Sequence, residues 1–294
     1  MTRAHVATGM DLEYDTCGSP TDPALLLVMG FTAQMTLWKD DFCRRLADQG
    51  LFVIRFDNRD CGLSTKLDGA EVDLTAVIGA ALTEQPVPDV PYTLSDMAAD
   101  SVGLLDVLGI ERAHIMGASM GGMIAQTIAI EHPTRPRSLV SIMSMPGEPE
   151  VGQPTPEAAA ALLAPPPTDR QAYIDASPSW MIWQSKKHRD EAETRAQAAA
   201  DFDRSFYPEG APRQLAAIYA SGRRTDGLAA LDTPTLVIHG MDDTLITPSG
   251  GFRTAELVPG AVLVYVADMG HDLPEPLWPF LVEVIGAHTR RADG

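Results

Sequence analysis

Short apolar runs alternate with longer amphipathic stretches along the first half of the chain. The run Ala24–Met29 is continuously apolar and stops at Gly30, as is typical of a strand buried on both faces of a parallel sheet. Further strands are predicted at Leu51–Phe56, Ala113–Met116 and Ser138–Met143. Helical spacing of apolar residues predicts helices at Phe42–Gln49, Leu94–Leu108 (with Ser95 as N-cap) and Met120–Glu131. This alternation indicates a mostly parallel sheet with helices on both faces.

The pattern changes at Pro146. Pro-rich stretches separate short helical segments, and Thr155-Pro156 has the sequence of an N-cap followed by the first helical residue. An exposed helix is predicted at Lys186–Arg204, strands return at Thr235–His239 and Val262–Val266, and a last helix covers Pro276–His288. We therefore predict an α/β fold whose core, residues 1–145 and 227–294, is interrupted by a helical lid at residues 146–226. The lid should cover the carboxyl edge of the sheet, where such sheets bind ligands.

Composition narrows the class of protein. Of 294 residues, 45% are hydrophobic and 21% charged, as in ordinary globular proteins. The formal net charge is −18, and no basic patch indicates a nucleic-acid partner. The short cationic run Lys186–Arg189 is expected to lie on a solvated helix face. No segment approaches the roughly 20 apolar residues of a membrane helix, so membrane insertion is not expected. Residues 1–10 lack the apolar stretch of a signal sequence, and we therefore expect a cytoplasmic location.

Cysteine usage gives no sign of a disulfide or a metal. Cys17, Cys43 and Cys61 are odd in number and contain no C-x-x-C pair, so we expect reduced thiols. The histidines and cysteines do not have zinc-ligand spacing either. No metal and no organic cofactor is predicted.

The segment Gly117-Ala-Ser119-Met-Gly121 fits the pattern G-x-S-x-G and lies between a predicted strand and a predicted helix. In that context the serine sits on a sharp, strained turn, and its Oγ projects above the sheet. Residues two positions away must be small because strand and helix nearly touch. The sequence therefore predicts Ser119 as a nucleophile. The alternative is a glycine-rich tight turn without chemistry.

A serine hydroxyl needs a base to remove its proton, and His271 is the predicted base. It follows Met269-Gly270 just after the last strand, so its loop can extend over the sheet edge to Ser119. A plain surface histidine is the alternative. The acid that orients the base should follow the preceding strand. We predict Asp243 for that position, with Asp242 as the less favoured candidate and a simple turn aspartate as the other interpretation.

An oxyanion hole requires two backbone N–H groups directed at the developing negative charge. One is predicted from Met120, which follows the nucleophile. The other is predicted from Phe31, in the loop after the first core strand, because Gly30 frees that turn.

Five segments together resemble the α/β-hydrolase superfamily: 25–31, 56–64, 117–122, 234–248 and 269–271. Within it, Leu-Leu-Val-Met-Gly, Asp-Asn-Arg-Asp-Cys-Gly-Leu-Ser and Arg44–Asp48 resemble the bacterial esterases that include aclacinomycin methylesterase. The resemblance implies hydrolysis of a carboxylic ester; it leaves the substrate open, a methyl ester on an aromatic polyketide being one candidate. Met29 stands where many superfamily members have His, which leaves the backbone donor in place. Asp57 and Arg59 are expected to be structural.

Other activities remain compatible with the same residues. Dehalogenases and epoxide hydrolases resembling this fold use an aspartate nucleophile, whereas position 119 is serine. Carbon–carbon hydrolases, aminopeptidases and cofactor-free perhydrolases share the triad. A peptidase would need lid carboxylates, but those present are better explained by an exposed charged face: Glu157, Asp190, Glu191, Glu193 and Asp203. A non-catalytic ligand receptor is the alternative of a different class, and it would generally not be labelled at Ser119 by a fluorophosphonate.

The predicted lid contains an unusually apolar segment, Trp180-Met-Ile-Trp183, and Met145 follows the fourth predicted strand. These residues predict a mainly apolar pocket of medium size for a small-molecule ester. The alternative is that they only pack the lid on the core. The oligomeric state is left open.

Overall fold

The computed structural model describes residues 2–294, which form one eight-stranded sheet. Its strands are β1 (Thr2–His5), β2 (Asp11–Cys17), β3 (Ala24–Val28), β4 (Phe52–Phe56), β5 (Ala113–Ala118), β6 (Pro136–Ile142), β7 (Thr235–Gly240) and β8 (Val262–Val266). The spatial order is β1-β2-β4-β3-β5-β6-β7-β8. The pairs β1–β2 and β2–β4 are antiparallel, and the other neighbours are parallel. The predicted α/β fold class is confirmed.

The helices are α1 (Asp40–Ala47), α2 (Leu74–Leu82), α3 (Leu94–Val107), α4 (Met120–Glu131), α5 (Pro156–Leu163), α6 (Arg170–Ala176), α7 (Glu191–Ser205), α8 (Gly210–Ala220), α9 (Thr225–Ala229), α10 (Ser249–Leu257) and α11 (Trp278–Asp293). Helices α5 to α8 all lie between β6 and β7, and no strand occurs in the described residues 143–234. Within residues 2–294, no helix is both long enough and apolar enough to cross a membrane.

The sheet separates two apolar cores. Side chains alternate along a strand, so Leu26 and Val28 of β3 pack with helices α3 and α4, whereas Leu25 and Leu27 pack with α1 and α11 on the opposite face. All four side chains are inaccessible to solvent. The continuous apolar run of β3 is thus explained by burial on both faces.

Some local expectations are wrong. The N-cap of α3 is Thr93 and not Ser95: Thr93 Oγ1 accepts a hydrogen bond from the Asp96 N–H at 3.4 Å, and Asp96 Oδ2 accepts one from the Thr93 N–H at 2.7 Å. Ser95 Oγ instead donates to Glu131 Oε1 at 2.7 Å. This reciprocal capping box satisfies two N–H groups at once, which a single serine cap cannot do.

The helix predicted at Lys186–Arg204 begins later, at Glu191, where the Asp190 carboxylate caps it. The cationic run before it is therefore not a helix face. Lys186 Nζ lies 2.9 Å from Asp242 Oδ1, and Lys187 Nζ lies 2.6 Å from Asp268 Oδ2. The run forms a turn around buried Ser185, whose Oγ accepts from the His188 N–H at 2.9 Å and whose carbonyl oxygen accepts from the Arg189 N–H at 3.1 Å. Strands β1 and β2 and helices α2, α9 and α10 were not predicted.

Candidate active site

Ser119 occupies the turn between β5 and α4 with an unusual backbone conformation, φ 57° and ψ −123°. This left-handed φ is strained for a residue with a side chain. A Cβ on Gly117 would lie 2.0 Å from the Gly121 oxygen, and a Cβ on Gly121 would lie 2.0 Å from the Val28 oxygen. The two glycines are therefore required by close backbone contacts, as expected for a nucleophile elbow.

The base and acid candidates meet in space although 28 positions separate them. His271 Nδ1 lies 2.7 Å from Asp243 Oδ2, which accepts a hydrogen bond from Nδ1–H when Nδ1 is protonated. The alternative acid, Asp242, faces away and pairs with Lys186. Of the two neighbouring carboxylates, Asp243 is the one that contacts the His271 ring.

The local structure keeps Asp243 ionised. Burial opposes the charge, but the His271 charge and hydrogen bonds from His239 and His271 outweigh it and lower the pKa of Asp243 below its ordinary value. Its other oxygen, Oδ1, accepts from the N–H groups of Leu245 and Ile246, both at 2.9 Å. A carboxylate fixed in this way can orient an imidazole and stabilise its protonated form.

His239, near the end of β7, lies next to the Asp243 carboxylate in the protein interior. It is completely buried, and its Nε2 donates to the Ile246 carbonyl oxygen at 2.7 Å while lying 3.4 Å from Asp243 Oδ2. Sequence reasoning placed His239 in a strand but gave it no role at the site. Its position as the fifth residue of β7, directly ahead of the acid loop, was the available signal.

The loop carrying Phe31 lies directly against Ser119. A Cβ on Gly30 would be 3.0 Å from the Ser119 Cβ. The loop is held on both sides: Asn58 Nδ2 donates to the Met29 carbonyl oxygen at 2.8 Å, and the Thr32 N–H donates to Gln214 Oε1 at 2.8 Å. Met120 begins α4, where N–H groups have no intrahelical partner. Both predicted oxyanion donors thus come from segments that border the serine.

A single large cavity of about 1260 Å³ is lined by Ser119 and His271. Phe31 and Met120 also line it, as do all three residues predicted for the substrate pocket: Met145, Trp180 and Trp183. Aromatic side chains from α6 and α7 add to this wall, with the Phe202 and Phe206 rings stacked 4.4 Å apart. Helix α2, which the sequence did not predict, contributes Leu74 and Leu82. The cavity is mainly apolar around a polar reactive end.

The side chains of the turn after β4 form buried ion pairs and hydrogen bonds with several other segments. Asp57 Oδ1 accepts from the Met35 N–H at 2.7 Å, and Oδ2 lies 2.8 Å from Arg204 Nη2. Arg59 forms a two-pronged ion pair with Asp100, at 2.6 and 2.7 Å. Neither Asp57 nor Arg59 is among the cavity-lining residues, which agrees with the structural role expected for both.

Sequence reasoning missed the two cavity-lining carboxylates whose pKa is raised, Asp201 and Asp272. Burial raises the pKa of Asp201 to about 6, and its Oδ1 accepts from Gln197 Nε2 at 2.8 Å. Burial also raises the pKa of Asp272, although this carboxylate accepts hydrogen bonds from the N–H groups of Ser185 and Gly270. Only the adjacency of Asp272 to His271 could have indicated it. In residues 2–294, no group of three or more His, Cys, Asp or Glu is arranged to hold a metal ion.

Comparison with known proteins finds similarity over two thirds to nearly all of the chain. Rhodomycin D methylesterase of Streptomyces sp. strain C5 is 29% identical over 302 residues, covering 94% of this chain and 93% of that protein. A 2-hydroxymuconate semialdehyde hydrolase of Pseudomonas putida is 32% identical over 201 residues, covering 66% and 68%. The crystal structure of an enol-lactonase from Burkholderia xenovorans LB400 superposes with a TM-score of 0.74 at 24% identity, covering 98% of this chain and 99% of that one.

The resemblance to bacterial methylesterases inferred from the motifs is confirmed by the first of these relatives. The sheet order, the strained Ser119 turn and the matches above all agree with the family model for the alpha/beta hydrolase fold, which covers residues 23–275. The chain belongs to the α/β hydrolase fold family.

Proposed function

We propose that this protein hydrolyses carboxylic esters through an acyl-enzyme intermediate on Ser119. The observation that carries the proposal is the strained Ser119 turn in the same cavity as His271, whose Nδ1 lies 2.7 Å from Asp243. The methylesterase relative supports ester cleavage in particular. The cytoplasmic location and the absence of a nucleic-acid partner stay predictions from the sequence.

Each step has a residue to carry it. His271 Nε2 removes the hydroxyl proton as Ser119 Oγ attacks the ester carbon, and Asp243 stabilises the resulting imidazolium. The N–H groups of Phe31 and Met120 bind the negative oxygen of the tetrahedral intermediate. His271 then gives its proton to the leaving alcohol. A water molecule, activated by the same histidine, attacks the acyl-enzyme and releases the carboxylic acid.

The cavity is larger than the medium-sized pocket predicted from the sequence, so the substrate is proposed to be a large apolar ester. Ligand cavities commonly measure about 300–1,000 Å³, and this one reaches about 1260 Å³. Met145, Trp180 and Trp183 are proposed as its apolar contacts. Residues 146–226 act as the lid in this proposal, since α5 to α8 supply much of the cavity wall.

The test is hydrolysis of p-nitrophenyl esters from acetate to decanoate. We expect Ser119→Ala to abolish turnover. Asp243→Asn should lower it by about 10⁴-fold: its oxygen must keep accepting from the Leu245 and Ile246 N–H groups, so the new amide N–H would face His271 Nδ1 and hold the imidazole in the wrong tautomer. Asp242→Asn is the matched control: this neighbouring carboxylate pairs with Lys186 and not with His271, and asparagine keeps an acceptor oxygen for Lys186. Its activity should stay far above that of Asp243→Asn. Equal losses in the Asp242 and Asp243 variants would contradict the assignment of the acid.

Carbon–carbon bond hydrolysis is the second candidate, favoured by the 2-hydroxymuconate semialdehyde hydrolase relative. Fluorophosphonate labelling separates the outcomes. Labelling of Ser119 without hydrolysis of any ester would favour the carbon–carbon reaction. Neither labelling nor hydrolysis by the folded protein would reject a serine hydrolase altogether.

A further inference from the structure

The turn formed by residues 182–188 is attached to both loops that carry the acid and the base. We infer that this turn positions His271, and that Asp272 and Ser185 are positioning residues for the reaction. The inference rests on the proposed function for its kinetic readout, but its structural readout is independent of it.

The most direct contact is with the base itself. The His271 N–H donates to the Trp183 carbonyl oxygen at 2.6 Å. Gly270, just before the base, lies so close to the turn that a Cβ there would be 2.4 Å from the same Trp183 oxygen and 2.6 Å from the Ser185 nitrogen. The backbone of the His271 loop is therefore packed against the backbone of the turn.

The Asp272 side chain forms a second link between the His271 loop and the turn. Its Oδ1 accepts from the N–H groups of Gly270 and Ser185, both at 3.1 Å, and its Oδ2 lies 3.0 Å from the Ser185 nitrogen. One carboxylate thus joins the residue before the base to a segment 87 positions away along the chain. Ser185 is itself fully buried, and its Oγ donates to the Asp268 carbonyl oxygen at 2.7 Å.

The same turn also holds the acid loop. Thr244 Oγ1, next to Asp243, donates to the Ile182 carbonyl oxygen at 3.0 Å. Lys186 Nζ lies 2.9 Å from Asp242 Oδ1 on the other side of the acid. The turn therefore bridges the two loops whose side chains meet at the 2.7 Å contact between His271 and Asp243.

Geometry of this kind matters because catalysis depends steeply on placement: a shift of about 1 Å in a reacting group can cost about 10²-fold in rate. Loosening the turn should misplace His271 relative to Ser119 without removing any group that takes part in the chemistry. Trp183 lines the cavity as well. The turn is thus both a wall of the pocket and a support of the base.

The test compares Asp272→Ala, Asp272→Asn and Ser185→Ala. Asp272→Ala should lower kcat by about 30-fold with KM changed less than about 3-fold, because placement and not substrate contact is lost. Asp272→Asn keeps an acceptor oxygen for both N–H groups and should recover most of kcat. Ser185→Ala loses only the hydrogen bonds of Oγ, and its kcat should lie between those of Asp272→Ala and Asp272→Asn. Asp203→Ala is the matched control: Asp203 binds Arg170 within the helical segment and should leave kcat unchanged.

The structural readout is the proton NMR signal of the His271 Nδ1–H donated to Asp243. It should broaden or disappear in Asp272→Ala and persist in Asp272→Asn, whether or not esters are substrates. Three results would overturn the inference: wild-type kcat in Asp272→Ala, equal losses in the Ala and Asn variants (which would assign the effect to charge), or an unchanged Nδ1–H signal. If Asp272→Ala does not fold, the same signal in Ser185→Ala decides.

Discussion

The sheet core and the helical segment between β6 and β7 are held in place by different kinds of contact. Around the Ser119 turn, backbone meets backbone, and glycines at 117 and 121 leave no space for a Cβ. In α5 to α7, few apolar side chains are buried: Ala158, Ile174 and Ala198. Helix α8 buries three more, Leu215, Ala216 and Ala217, and charged side chains such as Arg204 and Arg213 also attach the segment to the core. Sterics fix the nucleophile, whereas buried directional polar contacts contribute to holding the cavity wall.

The largest expected effect comes from filling the space at the Ser119 turn. In Gly121→Ala the new methyl would lie 2.0 Å from the Val28 oxygen and 2.8 Å from the Met29 oxygen, both backbone atoms that cannot move independently of β3. We expect a loss of more than about 3 kcal/mol in the free energy of unfolding, at or beyond the upper end for overpacking, together with loss of activity. Urea denaturation measures the first and ester hydrolysis the second.

Gly79→Ala is the control for that change. Gly79 lies on the exposed side of α2, and a Cβ there would have no atom within 4 Å. Alanine at this position should stabilise the protein by up to about 1 kcal/mol, since it lowers the backbone entropy lost in forming the helix. A Gly121→Ala protein as stable as Gly79→Ala would show that the close contact at the turn can relax.

The next effect tests the polar attachment of the helical segment. Arg213 of α8 forms a two-pronged ion pair with Asp60, at 2.7 and 2.9 Å, and both side chains are almost completely buried. Arg213→Ala leaves the Asp60 charge buried with only the Tyr92 hydroxyl and the Leu67 N–H as partners. The expected loss is about 3–5 kcal/mol of unfolding free energy, measured by denaturation.

Arg170→Ala is the surface counterpart of that variant. Arg170 pairs with Asp203 in the same two-pronged manner, at 2.6 and 2.7 Å, but both side chains are about half exposed. Water screens this pair, so the midpoint of denaturation should not change measurably. Similar losses in the two arginine variants would mean that burial does not determine the strength of these attachments.

The same contrast explains what the sequence could predict. G-x-S-x-G is a local steric requirement, and Asp243 and His271 follow strands that are readable from apolar runs. The contact of Ser185 with Asp272 joins positions 87 residues apart, and no local pattern encodes it. Charged residues at 186 and 187 fit a helix equally well until Asp242 and Asp268 come within reach.

The wrong N-cap of α3 and the unpredicted strands β1 and β2 have different causes. The capping box of α3 was encoded, because Asp96 lies three residues after Thr93, whereas Ala98 stands three after Ser95. Strands β1 and β2 have polar residues on alternate or exposed positions and pair antiparallel at the sheet edge, so they lack the continuous apolar run that marked β3. Sequence patterns identified the parallel strands, including β8 at the opposite edge, and missed the antiparallel pair β1 and β2.

Apart from the control variants, the smallest expected effect depends on pH. Burial raises the pKa of Asp201 from 3.8 to about 6, against the opposing influence of Lys39 and Arg204. Below pH 3.8 the carboxyl is protonated in both folded and unfolded chains and has no effect. As the pH rises to about 6 the unfolded chain releases its proton first, so the folded state is progressively disfavoured. The full penalty, on the order of 2 kcal/mol, is present above that range.

Asp201→Asn should remove this penalty while keeping an acceptor for Gln197. Its free energy of unfolding should exceed that of wild type by about 2 kcal/mol at pH 8, and the difference should shrink as the pH falls from 6 toward 4. Asp203→Asn is the control two residues away, because the hydrogen bond from Arg170 lowers the pKa of Asp203 and gives the opposite sign. A pH-independent difference for Asp201→Asn would mean that water reaches Asp201 and solvates its charge, so that burial does not disfavour the ionised carboxylate there.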